Sequence, residues 1–324
     1  MNSLRNSEVA AMNNKTFHRG AFKQVPIYTG KFFRMFIYMN DWKTLPMAGL
    51  IAGVVCMVIG KRIFVTMEGT ELGALALACV CLWNGCFNSI QVVCRERGII
   101  KREHRAGMKI PAYVASHMIY QATLCMLQSI IIYFICFFMK LNLPEQGVIT
   151  PYFSLDFIIS MFLMTYASDM MALTISCIAK NTTAAMIAMP FVLVVQLVLS
   201  GAIFPLSGIV AKLGNLTLAK WGVIEMNSLG GTNNLPMVSI WNQLTKMQDV
   251  EFMGVKPIKT ILEQIESAGM KEEFELSVGS LNADARYVTS PEVITRCWII
   301  LIAFVFVFAF ICMLALRRVD KDKR

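Results

Sequence analysis

The segment "WIILIAFVFVFAFICMLAL", residues 298–316, contains no charged side chain from end to end. A helix rising about 1.5 Å per residue needs roughly 20 such residues to cross a hydrocarbon core of about 30 Å, and it pairs its own backbone polar groups while doing so. Further apolar runs lie at approximately 45–66, 70–93, 111–139, 153–179 and 183–204, which with 293–316 make six candidate crossings. Across 324 residues, 56% are hydrophobic and 16% charged, too little polar surface to cover a water-soluble globule of this size. The chain therefore reads as an all-α membrane protein.

Sidedness follows from the Lys and Arg residues that flank the crossings. The N-terminal segment carries Arg5, Lys15, Arg19, Lys23, Lys31, Arg34 and Lys43, the stretch "CRERGIIKREHRAGMK" (94–109) carries six more, and the C-terminus carries Arg317, Arg318, Lys321, Lys323 and Arg324. A six-helix topology places all three on one side, the cytoplasm, with both termini there. The other side carries Lys61, Arg62 and Lys140 and one long loop, 206–292, in which acids outnumber bases. The net charge of +9 is then mainly an orientation signal. Its bases are spread over separate membrane-flanking segments, which weighs against nucleic acid as a partner.

These marks divide the chain into a flexible tail at 1–28, with no cleaved signal peptide expected, and an interfacial helix at 29–44. Crossings one to five occupy 45–205 and include a cytoplasmic amphipathic helix at 94–110. An external loop domain at 206–292, the last crossing at 293–316 and a short tail at 317–324 complete it. Within the loop, 218–231 is apolar enough to dip back toward the membrane, and 275–288 reads as a short strand and turn. Trp221, Trp241, Phe252 and Phe274 imply an ordered cap. The fifth crossing must end where Ser200, Gly201 and Pro205 follow Pro190 and Gln196.

The ten cysteines lie in or beside the crossings and read as buried free thiols, and no His/Cys spacing suits a metal. There is no phosphate-binding loop, nucleophile elbow or zinc helix. Four features could carry chemistry. On a helical wheel of 92–107, Val92, Ile99 and Ala106, with Val93, Ile100 and Gly107, form an apolar stripe opposite Arg97, Lys101, His104 and Arg105. Glu96 and Glu103 sit inside that stripe, where a carboxylate needs a partner, either a neighbouring base in the same chain or a group on another subunit. Trp83, Asn84, Phe87 and Asn88 combine aromatic area with amides, suited to an amphipathic ligand or to interhelical hydrogen bonds. Asp169 and His117 are ionisable groups within crossings, either a proton relay or a structural pair.

The order of parts resembles a known one. An interfacial helix and two crossings precede "CRERGIIKREHRAG" and "YVASHMIYQ". Two more crossings follow with "LTISCIAKNTTAAM" at their turn, then "SGAIFPL", an external loop containing "KWGVIEMNSL", and a last crossing. Over about 29–316 this is similar to the membrane domain of ABCG (White-like) exporters and to bacterial ABC type-2 permeases. The resemblance implies a permease subunit of an ATP-driven exporter in a bacterial cytoplasmic membrane, moving an apolar or amphipathic cargo such as a lipid, peptide or drug by alternating access. It implies a separate ABC ATPase subunit that holds ATP and Mg, none bound by this chain, and a second permease subunit in a homo- or heterodimer. The helix at 94–110 becomes a connecting helix, with Glu96, Arg97, Lys101 and Glu103 coupling it to the ATPase. Asn84, Phe87, Val194 and Leu197 would face the substrate cavity, Ala202 and Ile203 would form a valve, and Glu225 would sit in the re-entrant part of the loop. The rival readings are an ATP-independent secondary transporter using Asp169 and His117, and a membrane-embedded enzyme or signalling scaffold.

Overall fold

Each apolar run folds as a helix whose ends are set by identifiable residues. The structure, a computed structural model, describes residues 20–39, 41–251 and 255–317. The parts of the two tails at 1–19 and 318–324, and Phe252, lie outside the described residues. α1 (Ala21–Tyr38) leads through a 3-10 turn at Asp41–Lys43 into α2 (Thr44–Ile59). α3 (Met67–Ser89), α4 (Val92–Arg105), α5 (Ile110–Phe138), α6 (Phe153–Ile178) and α7 (Thr182–Val198) follow. Thr66 caps α3 by accepting from the Gly69 N–H at 3.2 Å, and the Asn181 side chain caps α7 by accepting from Ala184 N–H at 2.7 Å. The outer segment forms five short helices, α8 (Gly208–Gly214), α9 (Leu218–Leu229), α10 (Val238–Lys246), α11 (Pro257–Ser267) and α12 (Lys271–Leu281), before α13 (Pro291–Arg317).

Among the described residues, five stretches are long and apolar enough to cross a membrane: Asp41–Arg62, Met67–Arg105, Ile110–Phe138, Phe153–Ile178 and Pro291–Arg317. The second of them takes in both α3 and α4. α7, at 17 residues, is shorter, because the chain leaves the helix after Val198 and reaches Gly201, whose φ of +76° suits a residue without a side chain. The expected crossing at 183–204 is thus six residues shorter at its end. At the other end of the chain, residues 21–28 belong to α1 and not to the tail, held there by Gln24, which is buried against the turn after α4. α4 spans 92–105 where 94–110 was expected, since Gly107 (φ +105°) turns the chain toward α5. The strand expected within 275–288 is absent. Lys271–Leu281 is helical, with Glu272 and Glu273 in its first turn, and among the described residues no strand forms beyond an isolated bridge between Gln146 and Tyr152.

Contacts at constant separation give the helix directions. Cys81 meets Met161 and Ser89 meets Asp169, both 80 residues apart, so α3 and α6 run parallel. Trp298 meets Ser160 and Cys312 meets Thr174, both 138 apart, so α13 runs parallel to α6 as well. α6 is consequently the central helix, packed on α3, α5, α7, α9 and α13. Its contact with α3 is a backbone approach at Gly85, where a Cβ would lie 2.3 Å from the Thr165 carbonyl and 2.7 Å from Asp169 N. Polar links tighten the centre. Ser89 Oγ donates to Asp169 Oδ1 at 2.6 Å and accepts from Gln121 Nε2 at 2.6 Å, while Asn88 and Gln128 exchange two amide bonds at 2.9 Å.

At the end opposite α4, α9 inserts between α3, α6 and α13 and is buried along most of its length. Within the cap, Trp241 meets Phe274 edge-on at 5.8 Å, and the Trp221 indole N–H donates to the Asn215 carbonyl at 2.9 Å. Arg286 links the cap to the end of α7, donating to the Gly201 carbonyl at 3.3 Å while it grips Asp284. Burial raises the Asp284 carboxyl, but the guanidinium outweighs it and holds the group below the ordinary carboxylate range.

Gly85→Val should lower the unfolding midpoint of the detergent-solubilised protein by roughly 4–10 °C, from about 2–3 kcal/mol of overpacking. Gly53→Ala, at a position where a Cβ meets no atom within 4 Å, should leave it nearly unchanged. Equal shifts for the two would rule out the close α3–α6 approach.

Candidate functional site

α4 combines many bases with a buried face formed by Val93, Glu96 and Ile100. The apolar stripe is therefore rotated from the expected one, and Ile99 is left exposed. The helix is held at both ends. Near its start, Val93 N–H and Cys94 N–H both donate to Ser176 Oγ at 3.1 Å, and Arg97 Nη1 donates to the Ala179 carbonyl at 2.6 Å. These bonds join it to the junction of α6 and α7. Arg95, also in the first turns, pairs with Asp41 at 3.2 Å, and toward the end Glu103 accepts from Lys31 Nζ of α1 at 2.6 Å. Gln24 adds a further tie, donating to the Gly107 carbonyl at 3.1 Å and accepting from Lys109 N–H at 2.9 Å.

Of the two acids in the stripe, Glu103 thus finds a neighbouring base within the chain. Glu96 does not: it is 3% exposed, and neither carboxylate oxygen has a hydrogen-bond partner among the described residues. Burial pushes its carboxyl above the ordinary range, with Lys31 and Arg95 pulling the other way. Lys101 is half-buried on the same helix.

Two clefts open around the end of α3. One, of about 210 Å³, lies between α1, α4, α5 and the end of α3, and is lined by Phe32, Phe36, Phe87, Glu96, His117 and Tyr120 among others. The other, of about 240 Å³, lies between α2 and α3 and is lined by Met47, Ile51, Asn84, Phe87, Asn88 and Gln128. Phe87 belongs to both and is 42% exposed, its ring 5.6 Å from that of Trp83. Asn84 is buried, with its amide N–H group unpartnered, whereas Asn88 is committed to Gln128. This end of α3 therefore supplies both interhelical bonds and an unsatisfied amide.

The remaining expected positions are dispersed. Val194 is exposed and Leu197 half-buried on α7, and neither lines the clefts that Phe87 borders, where Met186 is the α7 contribution. Ala202 and Ile203 occupy the turn after α7, Ala202 half-buried with its N–H donating to Ser200 Oγ, and Ile203 exposed. Glu225 is fully buried in α9, where its carboxylate accepts from the Trp298 indole N–H. Asp169 and His117 are held separately: Asp169 by Ser89, and His117 stacked on Phe32 with ring centroids 3.9 Å apart. Among the described residues, no three His, Cys, Asp or Glu side chains gather as a metal site, and the ten cysteines are free.

Sequence reasoning overlooked the groups that hold α4. Lys31 and Asp41 were visible as charges interleaved with Phe32, Phe33 and Phe36, and a mixed-charge interfacial helix facing a mixed-charge cytoplasmic helix is a signal for pairing. Gln24 and Ser176 carry no comparable signal, since isolated polar residues in such segments are common.

Residues 31–219, more than half of the chain, match the family model for the ABC-2 type transporter. Over 132 residues the chain is 30% identical to the ABC transporter ATP-binding/permease protein Rv1747 of Mycobacterium tuberculosis. That match takes in 39% of this chain and 15% of the relative, so the chain spans a small part of that protein's length. The matched region runs from α1 to the start of α9 and contains α4 with both clefts. The chain belongs to the ABC-2 type transporter family of membrane domains.

Proposed function

We propose that the chain is the permease subunit of an ATP-driven exporter, working with an ABC ATPase subunit and a second permease subunit in a bacterial cytoplasmic membrane. The observation that carries this reading is the mounting of α4. Hydrogen bonds tie it to the α6–α7 junction and ion pairs tie it to α1, so that a push on α4 is delivered to both sides of the bundle. The ATPase subunit holds ATP with its Mg; Arg97, Lys101, Glu96 and Glu103 are the α4 positions through which its closure is felt. Pairing of Glu103 with Lys31 makes that residue a brace that positions α4, with the exposed Arg102 as a contact for the ATPase.

Six crossings fit this reading. α7 starts beside Ala179 at the α4 end and finishes beside Arg286 at the cap, so it runs the same course as the longer helices. Both termini then lie on the α4 side, the cytoplasm. Cargo is apolar or amphipathic and is received against Asn84 and Phe87. Val194 and Leu197 on the free face of α7 belong to the same cavity once the second permease subunit is in place, with Ala202 and Ile203 as the valve and Glu225 supporting the outer wall. Alternating access is the change between two packings of these helices.

Affinity purification of the detergent-solubilised protein from its native membrane should bring a stoichiometric ATPase subunit with it; a preparation free of any ATPase would overturn the exporter reading. Glu103→Lys should reduce transport per ATP hydrolysed by about fivefold, the factor that roughly 1 kcal/mol supplies. The exchange Lys31→Glu with Glu103→Lys should restore it, and lack of rescue would show that the pair does not brace α4. Phe87→Ala should raise the cargo concentration for half-maximal transport while basal ATP hydrolysis stays constant, and an unchanged cargo dependence would remove Phe87 from the cavity.

A further inference from the structure

Five charged side chains gather where α1, the turn before α2 and α4 meet: Lys31, Asp41, Arg95, Glu96 and Glu103. Two ion pairs, Lys31 with Glu103 at 2.6 Å and Arg95 with Asp41 at 3.2 Å, use four of them. Glu96 is left over, 3% exposed and without a hydrogen-bond partner on either oxygen among the described residues. A carboxylate buried in this way is costly unless a cation meets it, and both nearby cations are engaged elsewhere.

The cleft that Glu96 lines contains a second unsatisfied group. His117 is 1% exposed, and neither ring nitrogen has a hydrogen-bond partner among the described residues. Phe32, Phe36, Phe87 and Tyr120 contribute rings to the wall, beside aliphatic side chains such as Ile90 and Leu124 and the paired Arg95 and Asp41. Ring faces attract cations, most strongly where water is excluded. At about 210 Å³ the cleft falls below the range of about 300–1,000 Å³ of pockets that enclose drug-sized molecules, so it takes a head group and not a whole bulky cargo. An anionic group such as a phosphate is disfavoured, because three acids face two bases around the site.

We propose that this cleft is a binding site for a primary ammonium group on a short apolar body. The ammonium donates to the Glu96 carboxylate and to an unpartnered ring nitrogen of His117, and the carbon skeleton lies against the aromatic rings. Such a group has three N–H donors and a positive charge, and the cleft offers it the two unpartnered acceptor oxygens of Glu96, while the guanidinium in the wall, Arg95, is paired with Asp41. A free amine and the head group of an aminolipid share this chemistry. The site does not depend on the exporter reading, although Phe87 joins it to the cavity that reading assigns to cargo.

The test uses purified full-length protein in detergent and equilibrium dialysis with radiolabelled phenethylamine, in the absence of ATP. Saturable binding is expected, displaced by unlabelled phenethylamine but not by phenethyl alcohol, which has the same body and no charge. E96Q should weaken binding by at least about tenfold while retaining a monodisperse elution profile. If E96Q does not fold, the comparison of amine with alcohol on the unaltered protein decides the matter. Binding that does not saturate, equal displacement by the alcohol, or a folded E96Q that binds as well as the unaltered protein would each overturn the proposal. Nanodiscs then separate the two sources: weaker binding of the labelled amine in phosphatidylethanolamine than in phosphatidylcholine, which has the same net charge and no N–H donor, identifies the lipid head group as occupant, and equal binding identifies the free amine.

Discussion

Gly85 lets the backbones of α3 and α6 meet, and the arrangement of the other helices follows from that approach. With a Cβ position 2.3 Å from the Thr165 carbonyl, no larger residue fits without separating the helices. The approach brings Ser89 to Asp169 and Ser168 to the Leu82 carbonyl, two hydrogen bonds across a short gap between α3 and α6. α5 then joins through Gln121 and Gln128, which reach Ser89 and Asn88. Apolar attraction alone would not select this packing in lipid, where the tails are as apolar as the side chains. Close backbone contact and polar links do select it.

The same packing places α4 where it is. Because α6 ends at Ile178 beside the start of α4, Ser176 and Ala179 are available to bind it, and because α1 lies along α5, Lys31 reaches Glu103. A charged helix that would otherwise be one more basic segment at a membrane surface becomes part of the bundle. Its buried face leaves Glu96 over a cleft that no single helix creates.

The crossings were legible because length and hydropathy are local properties. The boundaries of α5, α6 and α13 fell within two residues of expectation, and the end of α7 was announced by Gly201 and Pro205, though it came six residues sooner. The helix Lys271–Leu281 was misread, since a few alternating residues around Val278 imitate a strand while Glu272, Glu273 and Leu276 favour a helix. At the site, the mismatch of Glu96 and Glu103 with an apolar stripe was visible, and so was the aromatic amide cluster of α3. Their distinct outcomes were not, because only the fold decides that Lys31 reaches one acid and that Phe87 and His117 surround the other. Neither Val194 nor Leu197 lines the clefts that Phe87 borders, a relation that sequence position cannot supply.

The shared direction of α3, α6 and α13 has an electrostatic consequence. Each helix carries roughly half a unit of positive charge at its start and half a unit of negative charge at its end, and in these three neighbours the dipoles add. All three start at the cap, where Glu68, Asp156 and Glu292 occupy their first turns. Asp156 also accepts from the N–H groups of Val148, Ile149 and Thr150. All three end toward α4, where Arg97 binds the Ala179 carbonyl just past the end of α6 and Arg317 closes α13. Bases at the α4 end thus offset the negative ends of these central helices, as the acids in their first turns offset the positive ends at the cap.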